Sequence, residues 1–263
     1  MMAYIGGKKL QSKWISSFIP KTKQYMEVFG GAMWVYIAGN INTEKSIYND
    51  YNKYMYNLFT CCKDYKNLYK RALDYKVYDQ KTFDLCQKDV VLRGMNFDVP
   101  DILMAIHYAY ISTHIFSGMF KENGKNKMAK NEGAKRFKFD AFRDRLAKPS
   151  IQEKFNIMET FNLGYEEAIE KYDSDDMVMY LDPPYYGTET YYSFHSFGKS
   201  DHERLSDILK DCKSKWILSY YDFPQLEQWF PVDAFRYEKK EYSKISSSKS
   251  TKNKGEEVLI MNY

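Results

Sequence analysis

The run Met177-Val178-Met179-Tyr180-Leu181 is apolar without a break and stops at Asp182-Pro183-Pro184-Tyr185-Tyr186-Gly187. A short apolar run closed by a turn signal reads as a buried strand. The prolines end its hydrogen-bonded ladder, because proline has no N–H to donate and a fixed φ. Asp182 therefore stands at the carboxyl end of a strand, the edge where open α/β sheets place their chemistry. Proline also restrains the residue before it, so the carbonyls of Asp182 and Pro183 are held stiffly, and Tyr185 is expected to aim outward beside them. A carboxylate, a fixed carbonyl and a flat ring together suit a planar substrate with an exocyclic amine, which donates two hydrogen bonds while its ring stacks.

At 263 residues the chain fits one large domain or one domain carrying a substantial insertion. No apolar run approaches the roughly 20 residues of a membrane helix, so no membrane segment is expected. Cys61, Cys62, Cys86 and Cys212 form no C-x-x-C pair, and His107, His114, His195 and His202 show no ligand spacing. No metal is expected, and a reduced, cytoplasmic setting follows. The net charge of +4 is modest, but its distribution is uneven. Between Lys121 and Lys148 stand ten Lys/Arg against four Asp/Glu, a local net of +6 on a body that carries −2. A basic segment on a near-neutral body suits contact with a polyanion.

Gly6-Gly7-Lys8 is a glycine turn with a cation beside it, followed by a helical stretch from Leu10 to Phe18. Gln24 to Phe29 is a strand, and Gly30-Gly31-Ala32 turns into an apolar helix from Met33 to Ala38. This is the start of a doubly wound unit without the G-x-G-x-x-G fingerprint. Ser46 to Asp50 is a second strand ending in an acid. Asp50 follows Glu27 by 23 positions, close to the roughly 20-residue offset at which an acid meets ribose hydroxyls. A helix N-cap is the other role open to Asp50. Helical spacing covers Tyr51 to Leu73, Lys81 to Leu92 and Asp101 to Thr113. From Phe116 to Ser150 the pattern changes. Asn123-Gly124 is a hairpin turn signal, and basic residues interleave with Phe137, Phe139 and Phe142, a composition suited to groove and base contacts. Strands follow at Ile157–Leu163, Met177–Asp182, Lys215–Tyr220, Phe235–Tyr242 and Val258–Tyr263. Helices are expected at Gly164–Tyr172 and Asp201–Cys212, with Asp201 as N-cap.

Tyr4-Ile5-Gly6-Gly7-Lys8, Glu27-Val28-Phe29-Gly30-Gly31, Tyr48-Asn49-Asp50, Asp182-Pro183-Pro184-Tyr185 and the closing Gly255–Asn262 occur in the order seen in one family. With the basic insert between strands, the chain resembles the Dam-like, alpha-group DNA adenine-N6 methyltransferases over nearly its whole length. The resemblance implies an α/β, Rossmann-like methyltransferase fold that depends on S-adenosylmethionine. Its sheet would be seven-stranded, mostly parallel with one antiparallel strand, and would carry a helical and β-hairpin DNA-recognition insertion. Residues 1–55 and 151–263 would form the catalytic domain and residues 56–150 the inserted recognition region.

By position, the resemblance puts Tyr4, Lys8, Glu27, Phe29, Gly30, Gly31, Asp50 and Asp182 around the cofactor, with Leu163 and Tyr165 at its adenine. Asp182, Pro183, Pro184 and Tyr185 would form the catalytic motif. Ser117, Met119, Lys121, Asn123, Lys125, Lys127, Lys135 and Arg136 would meet double-stranded DNA. The family often has Asp where Glu27 stands. GATC-reading members tend to carry arginine at the position of Lys121, and lysine lacks arginine's bidentate fork, so GATC reading does not follow. The implied reaction flips an adenine out of the duplex, stacks it on Tyr185 and turns its amine toward the donor methyl. No protein nucleophile is required, and Cys86 lacks the Pro-Cys setting of cytosine-C5 enzymes. A monomer in solution, with one or more copies on DNA, is expected. Two alternatives stay open on the residues alone: another amine acceptor (cytosine-N4, RNA or protein glutamine), or a catalytically silent DNA-binding relative.

Overall fold

The computed structural model describes residues 7–39, 41–75, 78–115, 120–121, 123–129, 138–188, 197–243 and 254–263. The elements run in order α1 (Ser12–Ser16), β1 (Gln24–Glu27), α2 (Trp34–Ala38), β2 (Lys45–Asn49), α3 (Lys53–Cys62), α4 (Tyr65–Ala72), α5 (Gln80–Arg93) and α6 (Ile102–His114). They continue with α7 (Lys138–Leu146), α8 (Pro149–Asn156), β3 (Met158–Phe161), α9 (Tyr165–Tyr172), β4 (Met177–Leu181), α10 (Lys199–Asp211), β5 (Lys215–Tyr220), α11 (Leu226–Trp229), β6 (Arg236–Ser243) and β7 (Lys254–Met261).

The strands form one seven-stranded sheet in the order β3-β2-β1-β4-β5-β7-β6. Pairings from β3 through β5 are parallel, and β7 lies antiparallel to both β5 and β6. This is the seven-stranded Rossmann-like sheet, with β7 as its one antiparallel strand. Strand order reverses between β1 and β4, which opens a crevice at the carboxyl ends of both strands.

Side chains alternate across a strand, and here the alternation sorts residues into two cores. Tyr25, Tyr48, Val178, Tyr180, Ile217 and Leu259 face the cluster built with α1 to α8. Met26, Ile47, Met179, Leu181, Leu218 and Ile260 face the cluster that includes residues of α9, α10 and α11. β4 is buried at every position, which is why its sequence is apolar throughout.

Some expectations are revised. The helix expected over residues 51–73 breaks into α3 and α4, because the Asp64 carboxylate accepts the Asn67 N–H at 3.4 Å and starts a new helix. Asp201 is not the N-cap of α10: Gly198 caps it, and Asp201 sits three residues inside, its Oδ2 accepting the Gly198 N–H at 2.8 Å. Residues 138–156 are two helices rather than an extension of a basic hairpin. Phe139, Phe142 and Leu146 recur at helical spacing and are fully buried, so these rings are core and not DNA contacts. Pro149 opens α8, where its missing N–H leaves no bond unmade. Phe137 lies outside the described residues.

Candidate active site

Four loops leave the carboxyl ends of β1, β2, β3 and β4 and enclose one cavity of about 230 Å³. Lys8, Glu27, Phe29, Gly30, Gly31, Asp50, Leu163, Tyr165, Asp182 and Pro184 all border it, although they span most of the chain. Pro183 is buried beside them.

The first loop is shaped by close packing. A Cβ on Gly30 would lie 2.3 Å from the Tyr48 ring and 2.8 Å from the Asn49 carbonyl. Gly31 has φ +46° and Met33 φ +51°, so the turn into α2 uses the left-handed region twice. Gly30→Ala is expected to lower folding stability by about 1–3 kcal/mol, since β2 backbone cannot retreat. Urea melts of wild type and variant check this, and an unchanged midpoint would contradict the crowding.

Asp50 does not cap α3. Asn52 does, accepting the Tyr54 N–H at 3.0 Å. Asp50 instead accepts the Gly31 N–H at 2.6 Å and the Asn52 N–H at 2.8 Å, which joins the first two loops. Burial raises its carboxyl to about 6, with the two N–H bonds opposing the shift. Asn49 braces the third loop: its amide donates to Val28 O at 2.9 Å and accepts the Leu163 N–H at 3.0 Å. With that N–H engaged, Leu163 meets the cavity without a free amide donor. Phe29 and Tyr165 stack at 5.8 Å, and Phe197 packs edge-on against both, giving the cavity an aromatic end.

At the opposite end lies a cluster of charges. Lys8 Nζ donates to Asp182 Oδ1 at 2.7 Å and stands 3.5 Å from Glu257 Oε1. Burial, partly offset by Lys8, pushes the Asp182 carboxyl up to about 6. Glu27 lies deeper. It accepts the Tyr36 N–H at 2.8 Å and the Tyr25 O–H at 3.1 Å, and burial raises it to about 8. Tyr185 does not aim outward. Its ring is 7 % exposed and its hydroxyl donates to Glu257. Lys8 sits over its face, 4.6 Å from the centroid, and Tyr221 packs edge-on at 4.3 Å.

A cavity at the strand reversal, with Asp182 at one end and Asp50 between loops, can be set against known proteins. The family model of the D12 class N6 adenine-specific DNA methyltransferases matches residues 4–245. The chain belongs to this family. It is an enzyme that methylates the N6 amine of adenine in DNA in a site-specific manner. Of the acceptors left open by the sequence, the family selects DNA adenine. The methyltransferase is 25% identical over 228 residues to the Type II methyltransferase M.CviBI of Paramecium bursaria Chlorella virus NC1A, covering 83% of this chain and 81% of the relative.

Of the methyltransferase's remaining expected site residues, Lys121, Asn123, Lys125 and Lys127 are exposed between α6 and α7, and none of them borders the cavity. Asn123-Gly124 does turn, with Gly124 at φ +70°. Among the described residues, the pairing around this turn is one antiparallel bridge, Ile115 to Met128, and not a ladder. Asn126 takes over the bracing: its side chain accepts the Lys121 N–H and donates to the Lys121 carbonyl, both at 2.7 Å, while its own N–H reaches Gln87 of α5 at 3.0 Å. Tyr4, Ser117, Met119, Lys135 and Arg136 lie outside the described residues. Among the described residues no helix is long and apolar enough to cross a membrane. Two residues of the site escaped the sequence reading, Asn49 as a brace and Glu257 as a charge. The pattern Tyr-Asn-Asp and the Gly255–Asn262 segment were the signals pointing to them.

Proposed function

We propose that the cavity binds S-adenosylmethionine, as members of this family generally do, and that the carboxylate of Asp182 receives the amine of a flipped adenine at its mouth. The observation that carries this is the position of Asp182: at the end of β4, at the strand reversal, and already holding an N–H donor at 2.7 Å. The donor set fits the cofactor. Two buried acids, Glu27 and Asp50, and the partly exposed Asp182 suit a ligand with ammonium and sulfonium charges, because a nearby positive charge favours their ionised forms against the desolvation that raises them. The rings of Phe29, Tyr165 and Phe197 suit a flat heterocycle. Asp50 keeps acceptor capacity for ribose hydroxyls beyond its two N–H bonds.

Bound S-adenosylmethionine supplies the methyl group. Asp182 and the Pro183 carbonyl orient the amine, and Tyr185 offers its ring to the base. No protein nucleophile enters, and alignment and a matched electrostatic site carry the catalysis. The motif order supports placement in the Dam-like alpha group, with residues 1–55 and 151–263 as the catalytic domain and 56–150 as the recognition region. In support, the insert's exposed lysines lie on a loop braced to α5. We further propose a monomer in solution, a cytoplasmic setting and, from the Type II relative, a role in restriction-modification.

Tritiated-methyl transfer to duplex DNA, with long-read sequencing of DNA from expressing cells, tests the assignment. The expected outcome is N6-methyladenine in one short sequence context, together with calorimetric binding of S-adenosylmethionine. Methylated adenine without binding that Glu27, Asp50 or Asp182 variants weaken would move the cofactor elsewhere.

A further inference from the structure

Glu257 is 1 % exposed, in the middle of the molecule's antiparallel strand β7. A carboxylate so deeply buried is costly unless donors surround it. Three do. Gln11 Nε2 donates to Oε2 at 3.2 Å, while the Tyr185 hydroxyl and Lys8 both address Oε1. Two of these three donors are groups of the target-base end of the site. The alternation of β7 explains the placement: Glu257 shares the face of Leu259 and Met261, toward α1, where Gln11 lies.

The cluster has a second feature. Lys8 donates to Asp182 at 2.7 Å while lying 4.6 Å from the centroid of Tyr185. Those are the two contacts, carboxylate and ring face, that the target base needs. The ammonium therefore stands where the base must go. It has an alternative acceptor in Glu257, 3.5 Å away. We infer that Glu257 is a positioning residue for methyl transfer. It fixes the Tyr185 ring through the phenol hydroxyl, and it receives Lys8 when the incoming amine takes Asp182. This rests on Asp182 and Tyr185 being the target-base site proposed above.

The two tasks separate by substitution. Tyr185→Phe removes the ring bond and leaves the charge. Glu257→Gln keeps an oxygen for the hydroxyl and removes the charge. Glu257→Ala removes both. The experiment is single-turnover transfer to duplex DNA free of N6-methyladenine, at saturating DNA and cofactor, with cofactor calorimetry and thermal melts on each protein. Expected losses are about tenfold for Tyr185→Phe and about 100-fold for Glu257→Ala, with Glu257→Gln between wild type and Glu257→Ala. Cofactor affinity is expected to stay within about twofold, and Tyr185→Phe/Glu257→Ala to be no slower than Glu257→Ala, because residues acting through one bond are not additive.

A wild-type rate in Glu257→Ala, or losses that multiply in the double variant, would overturn the inference. If Glu257→Ala does not fold, Glu257→Gln and its combination with Tyr185→Phe take its place in the cycle, and a wild-type rate in Glu257→Gln then counts against it. Asp182→Ala run in parallel separates the two levels. If it transfers normally, the target site itself is misplaced. If it is inactive while Glu257→Ala is fully active, only the role of Glu257 fails.

Discussion

Asp182→Ala is expected to slow methyl transfer by about a thousandfold or more, the loss of a preorganised electrostatic contact to the reacting group, while DNA affinity stays within about threefold. The reason for the split is spatial. Asp182 ends β4 inside the crevice, whereas the exposed lysines at 121, 125 and 127, which suit phosphate contacts, lie between α6 and α7. Truncation removes the acceptor proposed to orient the amine and leaves Lys8 beside Glu257. Asp182→Asn should lose less, since one carbonyl oxygen still accepts, but its NH2 then faces the Lys8 ammonium. Protonation should imitate the substitution. The Asp182 carboxyl is raised from 3.8 to about 6, so it is ionised and accepting above that pH and neutral below it. The wild-type single-turnover rate should therefore fall about tenfold per pH unit below pH 6. Rates measured from pH 5 to 8, with filter binding to duplex DNA in parallel, check both parts. A flat profile or an active Asp182→Ala protein would remove Asp182 from the reaction.

Asp182 was legible because everything that places it is local: five apolar residues fix the strand, and two prolines fix its end. The sheet was legible for the same reason, strand by strand, apart from one- to four-residue shifts at the ends. What stayed hidden depends on contacts between distant segments. Tyr185 turns inward because its hydroxyl finds a carboxylate 72 residues away on β7. Glu257 finds Gln11 across 246 residues, and β7 begins four residues before the alternation that announces it. Gly30 is needed because Tyr48 crosses over it, which no property of the turn itself reveals. α7 was missed for a different reason. Its charged residues outnumber its apolar ones, so charge hid the i, i+3 face, and the DNA role fell on rings that belong to the core. Those charges are partly spent within the molecule: Arg143 pairs with Asp140, and Arg145 lies over the Trp34 ring at 5.1 Å.

Asp50→Ala is expected to weaken S-adenosylmethionine binding by about 100-fold, the scale of two charge-assisted hydrogen bonds to ribose hydroxyls. It should also destabilise the protein, because Asp50 accepts the Gly31 and Asn52 N–H groups and so ties the β1 loop to the β2 loop. Each buried N–H left without an acceptor costs about 1–3 kcal/mol. Asp50→Asn separates the two effects. Its single carbonyl oxygen can serve one of the two N–H groups, while its NH2 opposes the other, so part of the tie survives and the charge is lost. If Asp50 bears on the ligand, Asp50→Asn should recover stability more fully than affinity. If it only shapes the loop, affinity and melting temperature should recover together. The proton gives a third handle. With its carboxyl raised to about 6, Asp50 is ionised above that pH, and wild-type affinity should climb as pH rises through it. Calorimetry at pH 5.5, 6.5 and 7.5 on the three proteins reads this. Affinity that is flat with pH and tracks melting temperature across the variants would assign Asp50 to the loop and leave the ribose without its carboxylate.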